Sequence, residues 1–366
     1  MTAGFHAPLP PARTGVADYA AALLSALRMH GSVEVDSTTA DVHLYHLGNN
    51  SLHRETYEQA LARPGVAVLH DAVLHHLLLG SLESGQYVEE FVYNYGEWHR
   101  EFAMELWRAR RLSGTDPRYF RYAMLRRIAE TSRAVIVHNP AAAAIVRAHA
   151  AAARVFEIPH LFVEPALPSE WENTRLRREL GLRPHSALFG VFGYLRESKR
   201  LPVVLRVFER LRLELPEVSL LIAGEFASSD LARAVQPLLE RTGILRMGYV
   251  PAPEFWQLAA ATDVCINLRH PAAGETSGIG IRFMGIGKPV ILSEGAENSR
   301  FPEAACLRVP AGVEEVEALA SYMTWLAQFP DAAREIGRRA QAHIREHHSL
   351  ERVADAYWEV LQTCRG

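Results

Sequence analysis

The stretch VCINLRHPAAGETSGIGIRFMGIGKPVILSE, residues 264–294, decides the fold. It begins with a short apolar run at 264–267 and ends with another at 290–292, and both are typical of buried strands. Between them, the apolar residues from Ile279 to Ile286 have the spacing of a packed helix. A strand, a loop, a helix and a second strand in this order predict two neighbouring strands of a parallel sheet.

The loop that precedes this helix carries the most informative polar residues, Glu275, Thr276, Ser277 and Gly278. The first N–H groups of a helix lack intrahelical partners, and the helix dipole is positive there, so this position favours phosphate. A carboxylate does not suit phosphate, but it suits sugar hydroxyls. The combination therefore predicts a site for a nucleotide-sugar.

The same alternation of strands and helices extends along the chain, with further strand candidates at 33–35, 42–47, 66–69, 134–137, 187–192, 219–223 and 244–247. Three prolines within residues 158–168 interrupt it and predict a linker. We therefore expect two α/β domains with parallel sheets facing a cleft, one at 1–163 and the other at 164–347. A last helix within 348–366 is expected to cross back to the first domain.

Length and composition set the broad class. A chain of 366 residues is long for one core, and a net charge of -3 gives no general attraction to nucleic acid. Three scattered cysteines form no disulfide or metal-binding pattern, and Cys265 is expected to be a core residue. The sequence has no signal-peptide pattern and no membrane-spanning stretch, so a cytoplasmic protein is expected.

Two loops of the first domain could carry chemistry. Gly15 opens a helix, where a glycine lets backbone approach a phosphate, although the prolines before it could simply start the helix. His70 and Asp71 follow a strand, and the carboxylate is expected to favour a protonated imidazole. Taken alone, His70 would more often be a structural histidine.

In the second domain, Lys199 follows a strand and suits a diphosphate, and Arg196 and Arg200 could add contacts. The alternative for this loop alone is a solvated basic turn. The segment Gly248, Tyr249 and Val250 follows another strand and could border a nucleoside base, although glycine after a strand is ordinary turn chemistry.

These segments resemble the retaining glycosyltransferases of family 4, and in particular a bacterial branch that opens with a PLPPxxSGIADY-like sequence. The matching strings are PLPPARTGVADY, HLGNNSLH, PGVAVLHDAVLHHLL, FGYLRESKRL, LLIAGE, MGYVPAPEFWQLAAATDVCINLR and GETSG with GIGKPVI. They occur in one order from about residue 8 to residue 290.

The resemblance implies a GT-B fold, with a Rossmann-like acceptor domain at 1–163, a Rossmann-like donor domain at 164–347 and a nucleotide-diphosphate sugar as the donor substrate. It implies that Gly15 and Gly278 hold the diphosphate, that Lys199 neutralises it, and that Glu275 and His70 lie at the sugar. It also implies retention of anomeric configuration without a metal or other cofactor, and a saccharide, lipid-linked or small-molecule acceptor.

Two positions depart from the family pattern. Arg282 occupies the position at which the family normally has a second glutamate, which binds the ribose. Tyr194 occupies the position at which the family usually has a phosphate-binding arginine. We therefore count Arg282 among the candidate donor contacts, and we expect ribose recognition to differ from that of the family.

Three alternatives stay open. Gly278 and Gly280, with Glu294 after the next strand, give a partial dinucleotide-binding pattern typical of oxidoreductases, but Phe283 occupies the third glycine position. A non-catalytic nucleotide- or sugar-binding relative is the second alternative. The third concerns the aromatic, arginine-rich insertion at 80–131, which is either a helical cap with core aromatics, the favoured interpretation, or a peripheral contact with the inner membrane face and an extended acceptor.

Overall fold

The computed structural model describes residues 1–12 and 14–365, which form two compact units. The first comprises Met1–Val163, Pro271–Thr276 and the C-terminal residues from His347, and the second comprises Glu164–His270 and Ser277–Glu346. The sequence prediction placed all of 164–347 in one domain. The structure differs for Pro271–Thr276, which belongs to the first unit because its backbone is hydrogen-bonded there, as described below.

The first unit contains one parallel sheet of six strands in the order β2-β1-β3-β4-β5-β6. The strands are β1 (Thr2–His6), β2 (Ser32–Val35), β3 (Val42–Leu47), β4 (Val66–Leu69), β5 (Ala134–Val137) and β6 (Val155–Glu157). β3, β4 and β5 are fully buried; β4 and β5 are the continuous apolar runs that predict this, whereas β3 also contains His43 and His46. The sequence prediction missed β1, in which Gly4 and His6 interrupt the apolar pattern, and β6, which is short and half-buried.

Nine helices accompany this sheet among the described residues. They are α1 (Gly15–Leu27), α2 (Arg54–Ala62), α3 (His75–Ser81), α4 (Ser84–Tyr95), α5 (Arg100–Ala109), α6 (Arg118–Arg121), α7 (Arg126–Thr131), α8 (Pro140–His149) and, after the second unit, α16 (Leu350–Thr363). α16 packs against α1, and the hydroxyl groups of Tyr19 and Tyr357 are hydrogen-bonded at 2.9 Å. The return of the last helix to the first sheet is therefore confirmed.

The insertion folds as α4 to α7, together with the end of α3 and short turns. The rings of Tyr87, Phe91 and Tyr119 are completely buried in the core of the first unit. The interpretation of these aromatics as core residues is therefore confirmed. Trp98, by contrast, is 99% exposed.

The second unit contains a second parallel sheet, in the order β12-β11-β10-β7-β8-β9. Its strands are β7 (Leu188–Phe192), β8 (Ser219–Ala223), β9 (Ile244–Met247), β10 (Val264–Asn267), β11 (Val290–Ser293) and β12 (Leu307–Val309). The strand–helix–strand arrangement of residues 264–294 is confirmed, because β10 and β11 pair in parallel. Cys265 is buried in β10, and burial raises the pKa of its thiol to about 12.

Seven helices accompany this sheet, and the helix Gly278–Gly285 was expected from its apolar spacing. They are α9 (Glu170–Glu179), α10 (Leu201–Glu214), α11 (Ser229–Leu239), α12 (Ala252–Ala261), α13 (Gly278–Gly285), α14 (Glu315–Gln328) and α15 (Pro330–His347). Among the described residues, none of the helices has the length and apolar character needed to cross a membrane.

Candidate functional site

The loop between β7 and α10, residues 193–200, brings Lys199 to the carboxyl end of the second sheet. The Lys199 side chain is 3% exposed, and its Nζ donates a hydrogen bond of 2.6 Å to the carbonyl oxygen of Phe192. Nζ also lies 3.5 Å from Oδ1 of Asn267, the last residue of β10. The expected cation is therefore held at the strand ends, where ligands bind in open α/β sheets.

The first turn of α13 lies beside this lysine. Ser277 caps the helix, since its Oγ accepts from the backbone N–H of Gly280 at 3.3 Å. Nδ2 of Asn267 donates to the same Oγ at 2.6 Å. Asn267 thus links Lys199 to the N-terminus of α13, and a positive side chain and a positive helix end share one position.

The backbone around this position is closely packed. Gly224, which follows β8, has a φ of +152°, and a Cβ atom there would lie 2.0 Å from the carbonyl oxygen of Gly193. Only glycine fits so close an approach. Glycine at position 224 is therefore required by the packing of the strand-end loops, whether or not a ligand binds there.

The two arginines of the β7–α10 loop differ from expectation in different ways. Arg200 was expected to contact phosphate, but its guanidinium forms an ion pair with Glu315, whose side chain is 2% exposed. Arg200 Nε lies 3.0 Å from each Glu315 carboxylate oxygen. Arg196 is exposed, and its guanidinium lies 5.5 Å from the ring centroid of Tyr194.

Arg282 lies on α13, one turn beyond the capped end, and is half-buried. Its guanidinium lies 5.4 Å from the ring centroid of Phe255 and 5.9 Å from that of Trp256, both on α12. The arginine at the expected glutamate position therefore has a cation–π contact within the second unit. Its role toward a donor stays a prediction.

The segment Gly248, Tyr249 and Val250 follows the edge strand β9, as its position in the sequence predicted. Gly248 is exposed, and 49% of Tyr249 is exposed. A half-exposed aromatic ring at a strand end has a face on which a flat ligand can stack.

The segment Pro271–Thr276 is fixed to the first unit by its backbone. The Ala72 N–H donates to the Ala273 carbonyl oxygen at 2.9 Å, and Asn139 Nδ2 donates to the Gly274 carbonyl oxygen at 2.9 Å. Gly274 has a φ of +69°, and a Cβ atom there would lie 2.7 Å from the Cβ of Ala72. This close approach requires glycine and explains why the segment departs from the domain predicted for it.

Asn139 also donates to the Thr276 Oγ1 at 3.0 Å. The Glu275 carboxylate accepts from the backbone N–H of Ala273 at 2.6 Å, which fixes its direction within the loop. Of the predicted loop residues, Gly274, Glu275 and Thr276 thus belong to the first unit, whereas Ser277 and Gly278 begin the second.

His70 lies at the end of β4, and its side chain is 9% exposed. It was expected to be protonated next to Asp71. The structure shows the reverse: burial and the neighbouring His138 and His46 hold the pKa of His70 well below its ordinary value. The Asp71 carboxylate instead accepts from the backbone N–H of Asn49 at 2.8 Å.

His70 belongs to a histidine cluster at the carboxyl ends of the first sheet, which comprises His46, His70 and His138. His46 Nδ1 and His70 Nε2 are hydrogen-bonded at 3.0 Å, and the rings of His70 and His138 lie 5.1 Å apart. Burial also lowers the pKa of His46 well below its ordinary value and that of His138 to about 4. Among the described residues, no group of histidines, cysteines or carboxylates could hold a metal ion.

Gly15 is the exposed first residue of α1, and, apart from its chain neighbours and its own helix, no atom of the described residues lies within 4 Å of the position of a Cβ atom there. Thr14 caps the helix by accepting from the Ala17 N–H at 3.0 Å. An open helix N-terminus with a glycine remains compatible with the predicted phosphate contact, and the adjacent Arg13 lies outside the described residues.

The sequence prediction missed Asn139, Asn267, Glu315 and the companions of His70. Asn139 could have been identified, since an asparagine directly after a strand and before Pro140 is a typical helix cap. Asn267 ends a predicted strand, where its polar side chain was a usable signal. Glu315 gave no signal, because its partner lies 115 residues away.

Comparison with known proteins supports the same assignment of the fold. Residues 200–359, less than half of the chain, match the model of the family described as "Glycosyl transferase-like". Among curated proteins, none matches the chain significantly.

Solved structures resemble the entire chain. Anabaena Alr3699/HepE in complex with UDP-glucose has a TM-score of 0.69 and 16% identity, covering 99% of this chain and 100% of its own. Sucrose-phosphate synthase from Thermosynechococcus elongatus has a TM-score of 0.68 and 16% identity, covering 99% and 98%. WaaG, a glycosyltransferase involved in lipopolysaccharide biosynthesis, has a TM-score of 0.64 and 14% identity, covering 99% of each chain.

Two six-stranded parallel sheets, each covered by helices, and these structural matches together establish the predicted fold class. The chain has the GT-B fold of glycosyltransferases, and its residues 200–359 match the family model described as "Glycosyl transferase-like".

Proposed function

We propose that this protein is a glycosyltransferase that moves a sugar from a nucleotide-diphosphate sugar to a saccharide, lipid-linked or small-molecule acceptor. The observation that carries the proposal is the pairing of Lys199 with the capped N-terminus of α13 through Asn267. The family match over residues 200–359 includes α13, and it supports sugar transfer over a dinucleotide-dependent redox reaction.

In this proposal the second unit binds the nucleotide. Lys199 and the first N–H groups of α13, from Gly278 onward, stabilise the diphosphate and the charge that develops on it as the sugar departs. Tyr249 and its neighbours border the base. Arg282 takes the position of a ribose-binding glutamate and changes the selection of the donor.

The first unit supplies groups for the sugar. Glu275, held by the Ala273 N–H, accepts hydrogen bonds from sugar hydroxyls, and Gly15 adds a phosphate contact. His70 is neutral at physiological pH, so it serves as a hydrogen-bonding and positioning group rather than a cation. A neutral imidazole also adds no positive charge beside an oxocarbenium-like transition state.

The reaction we propose retains the anomeric configuration and uses no metal. The acceptor hydroxyl attacks the anomeric carbon on the face that the diphosphate leaves, and a phosphate oxygen takes the hydroxyl proton. The bond from the anomeric carbon to the phosphate oxygen breaks as the new glycosidic bond forms. The residues contribute positioning and charge stabilisation, which supply most of the rate enhancement in such a step.

Lys199→Met tests the proposal, and Lys288→Met is its matched control. Lys288 is a half-buried lysine of the second unit and donates to the Ala260 carbonyl oxygen at 2.7 Å, but it precedes a strand instead of following one. We expect UDP, GDP or ADP to bind the wild type and to lose at least tenfold in affinity in Lys199→Met, as measured by calorimetry. Equal losses in both variants, or none in either, would contradict the assignment.

A non-catalytic binding protein remains the competing function. Incubation with UDP-, GDP- and ADP-sugars, with NMR detection of the released sugar and of its anomeric configuration, separates the two. Nucleotide binding without transfer or donor hydrolysis, at any of several acceptors and with or without EDTA, would favour the binding protein. A requirement for magnesium would contradict the metal-free mechanism.

We also propose that the insertion contacts an anionic membrane surface peripherally when the acceptor is lipid-linked. Arg110 and Leu112 lie on an exposed turn after α5, and Leu112 is 62% exposed. Three other arginines of the insertion, Arg118, Arg126 and Arg127, form ion pairs with carboxylates of the protein, so their charge is partly neutralised there. Co-sedimentation with phosphatidylglycerol vesicles at low and high salt tests this contact, and an absence of binding at low salt would contradict it.

A further inference from the structure

The loop between β7 and α10 ends in an unusual backbone conformation at Arg200. Its φ is +57° and its ψ is 27°, the left-handed region, which a residue with a Cβ atom enters at a steric cost. The Arg200 carbonyl oxygen nevertheless accepts from the Val203 and Val204 N–H groups, at 2.9 and 3.2 Å, and so begins α10. Such strain persists where the surrounding structure fixes it, and it points to function.

Glu315 forms an ion pair with the side chain of this residue. It is the first residue of α14, a helix that packs against α10, and its carboxylate holds the Arg200 guanidinium through both oxygens. Because the carboxylate is almost completely buried, its charge is compensated chiefly by this arginine. A bidentate contact between the planar guanidinium and carboxylate groups restricts their relative orientation as well as their distance.

Three other residues of the loop, Glu197, Ser198 and Lys199, are also held by hydrogen bonds. Glu197 accepts from the Ser228 hydroxyl at 2.5 Å, and the Ser198 carbonyl oxygen accepts from the His270 N–H at 2.8 Å. Lys199 follows directly and donates to Phe192. A displacement of Arg200 would therefore move the backbone that aims Lys199 at the strand ends.

We propose that Glu315 is a positioning residue for the nucleotide diphosphate, acting through Arg200 on Lys199. Glu315 itself does not touch the donor. The inference rests on the proposed function, in which Lys199 binds the diphosphate. It adds that donor affinity depends on a carboxylate from a helix outside the strand-end loops.

The same pair of helices provides a matched control. Arg210 on α10 and Glu317 on α14 form an ion pair at 2.7 Å, but both side chains are more than half exposed. Glu317→Gln therefore breaks an ion pair between the same helices without touching the loop. Glu315→Gln removes the charge with almost no change of shape.

The test has two readouts, and the first needs no nucleotide. Amide hydrogen exchange of residues 193–200 is expected to be at least tenfold faster in Glu315→Gln than in the wild type, and unchanged in Glu317→Gln. In the second, calorimetry compares UDP, GDP and ADP with UMP, GMP and AMP. We expect Glu315→Gln to lose at least tenfold in affinity for the diphosphate and less than threefold for the monophosphate.

The outcomes separate the two proposals. If amide exchange of residues 193–200 in Glu315→Gln is as slow as in the wild type, or if the diphosphate affinity of this variant is unchanged, the proposed role of Glu315 is overturned. If the wild type binds none of the nucleotides while amide exchange of residues 193–200 is faster in Glu315→Gln, the proposed function and the donor role of Glu315 are overturned. Only the stabilisation of Arg200 by Glu315 would then remain. If Glu315→Gln does not fold, Glu315→Asp keeps the charge but shortens its reach, and wild-type values in that variant would overturn the inference.

Discussion

Acidification is expected to destabilise the first unit through its buried histidines. Burial lowers the pKa of His138 to about 4 and that of His75 to about 3. In the unfolded chain both groups titrate near ~6.5. Below that pH the unfolded chain therefore binds more protons than the folded protein, so the free energy of unfolding falls as the pH falls.

The structure explains why these two imidazoles stay neutral. His138 Nδ1 donates to the Ile158 carbonyl oxygen at 2.9 Å, and its Nε2 is buried without a hydrogen-bond partner among the described residues. His75 bonds the Tyr122 carbonyl oxygen at 2.9 Å and the Tyr87 hydroxyl at 2.6 Å. A proton added to either ring would place a charge in the core without a carboxylate to pair with it.

The magnitude follows from the shifts. At pH 5 the solution is about 1.5 units below the unfolded pKa and still above both folded values, so each histidine lowers the free energy of unfolding by about 2 kcal/mol. The two together give about 4 kcal/mol between pH 8 and pH 5. The lowered pKa values of His46 and His70 act in the same direction, whereas the raised pKa of the buried Glu90 acts against it.

Urea unfolding followed by circular dichroism at pH 8 and pH 5 measures this difference directly. His138→Gln supplies the control, because a neutral amide cannot take up the proton. The variant is expected to reduce the difference between the two pH values by about 2 kcal/mol. A wild-type free energy of unfolding that agrees within about 1 kcal/mol at the two pH values would refute the reasoning.

Further predictions concern the segment Pro271–Thr276. Gly274→Ala should lower the free energy of unfolding by about 1–3 kcal/mol, because the new Cβ atom would meet Ala72 and the φ of this residue is positive. Gly15→Ala, whose Cβ atom would point into open space, is the control and should change the free energy of unfolding by less than about 0.5 kcal/mol. Similar urea midpoints for the two variants would contradict this prediction. Asn139→Ser keeps a good helix cap but removes the amide that holds Gly274 and Thr276, so it should cost about 1–2 kcal/mol. Faster amide exchange in this segment is expected with it, and wild-type exchange would show that the segment is held by other contacts.

Much of the fold could be predicted from short-range patterns. Residues 42–47, 66–69, 219–223, 244–247 and 264–267 were predicted as strands with the bounds that the structure has. Strands buried on both faces are continuous apolar runs, and a helix repeats its apolar residues every three or four positions. β1, β6 and β12 were not predicted, because their apolar pattern is interrupted or short.

The candidate site was predicted in part, since strand-end positions can be recognised locally. Lys199, Ser277 and Gly278 could be placed at such ends from the sequence, and Asn267 now explains how they come together. The protonation of His70 could not be predicted, because burial and histidines from other strands lower its pKa, while the adjacent Asp71 carboxylate accepts from the Asn49 N–H.

The sequence alone determined two parallel α/β sheets, their strand-end loops and a final helix that returns to the first sheet. Tertiary structure alone decided the partners of the charged and polar side chains. Arg200 binds Glu315 rather than an expected phosphate, and Gly274 is held by Asn139 of the first unit. The physical reason is that propensity and apolar periodicity are local, whereas desolvation and charge pairing depend on groups that are more than a hundred residues apart in the chain.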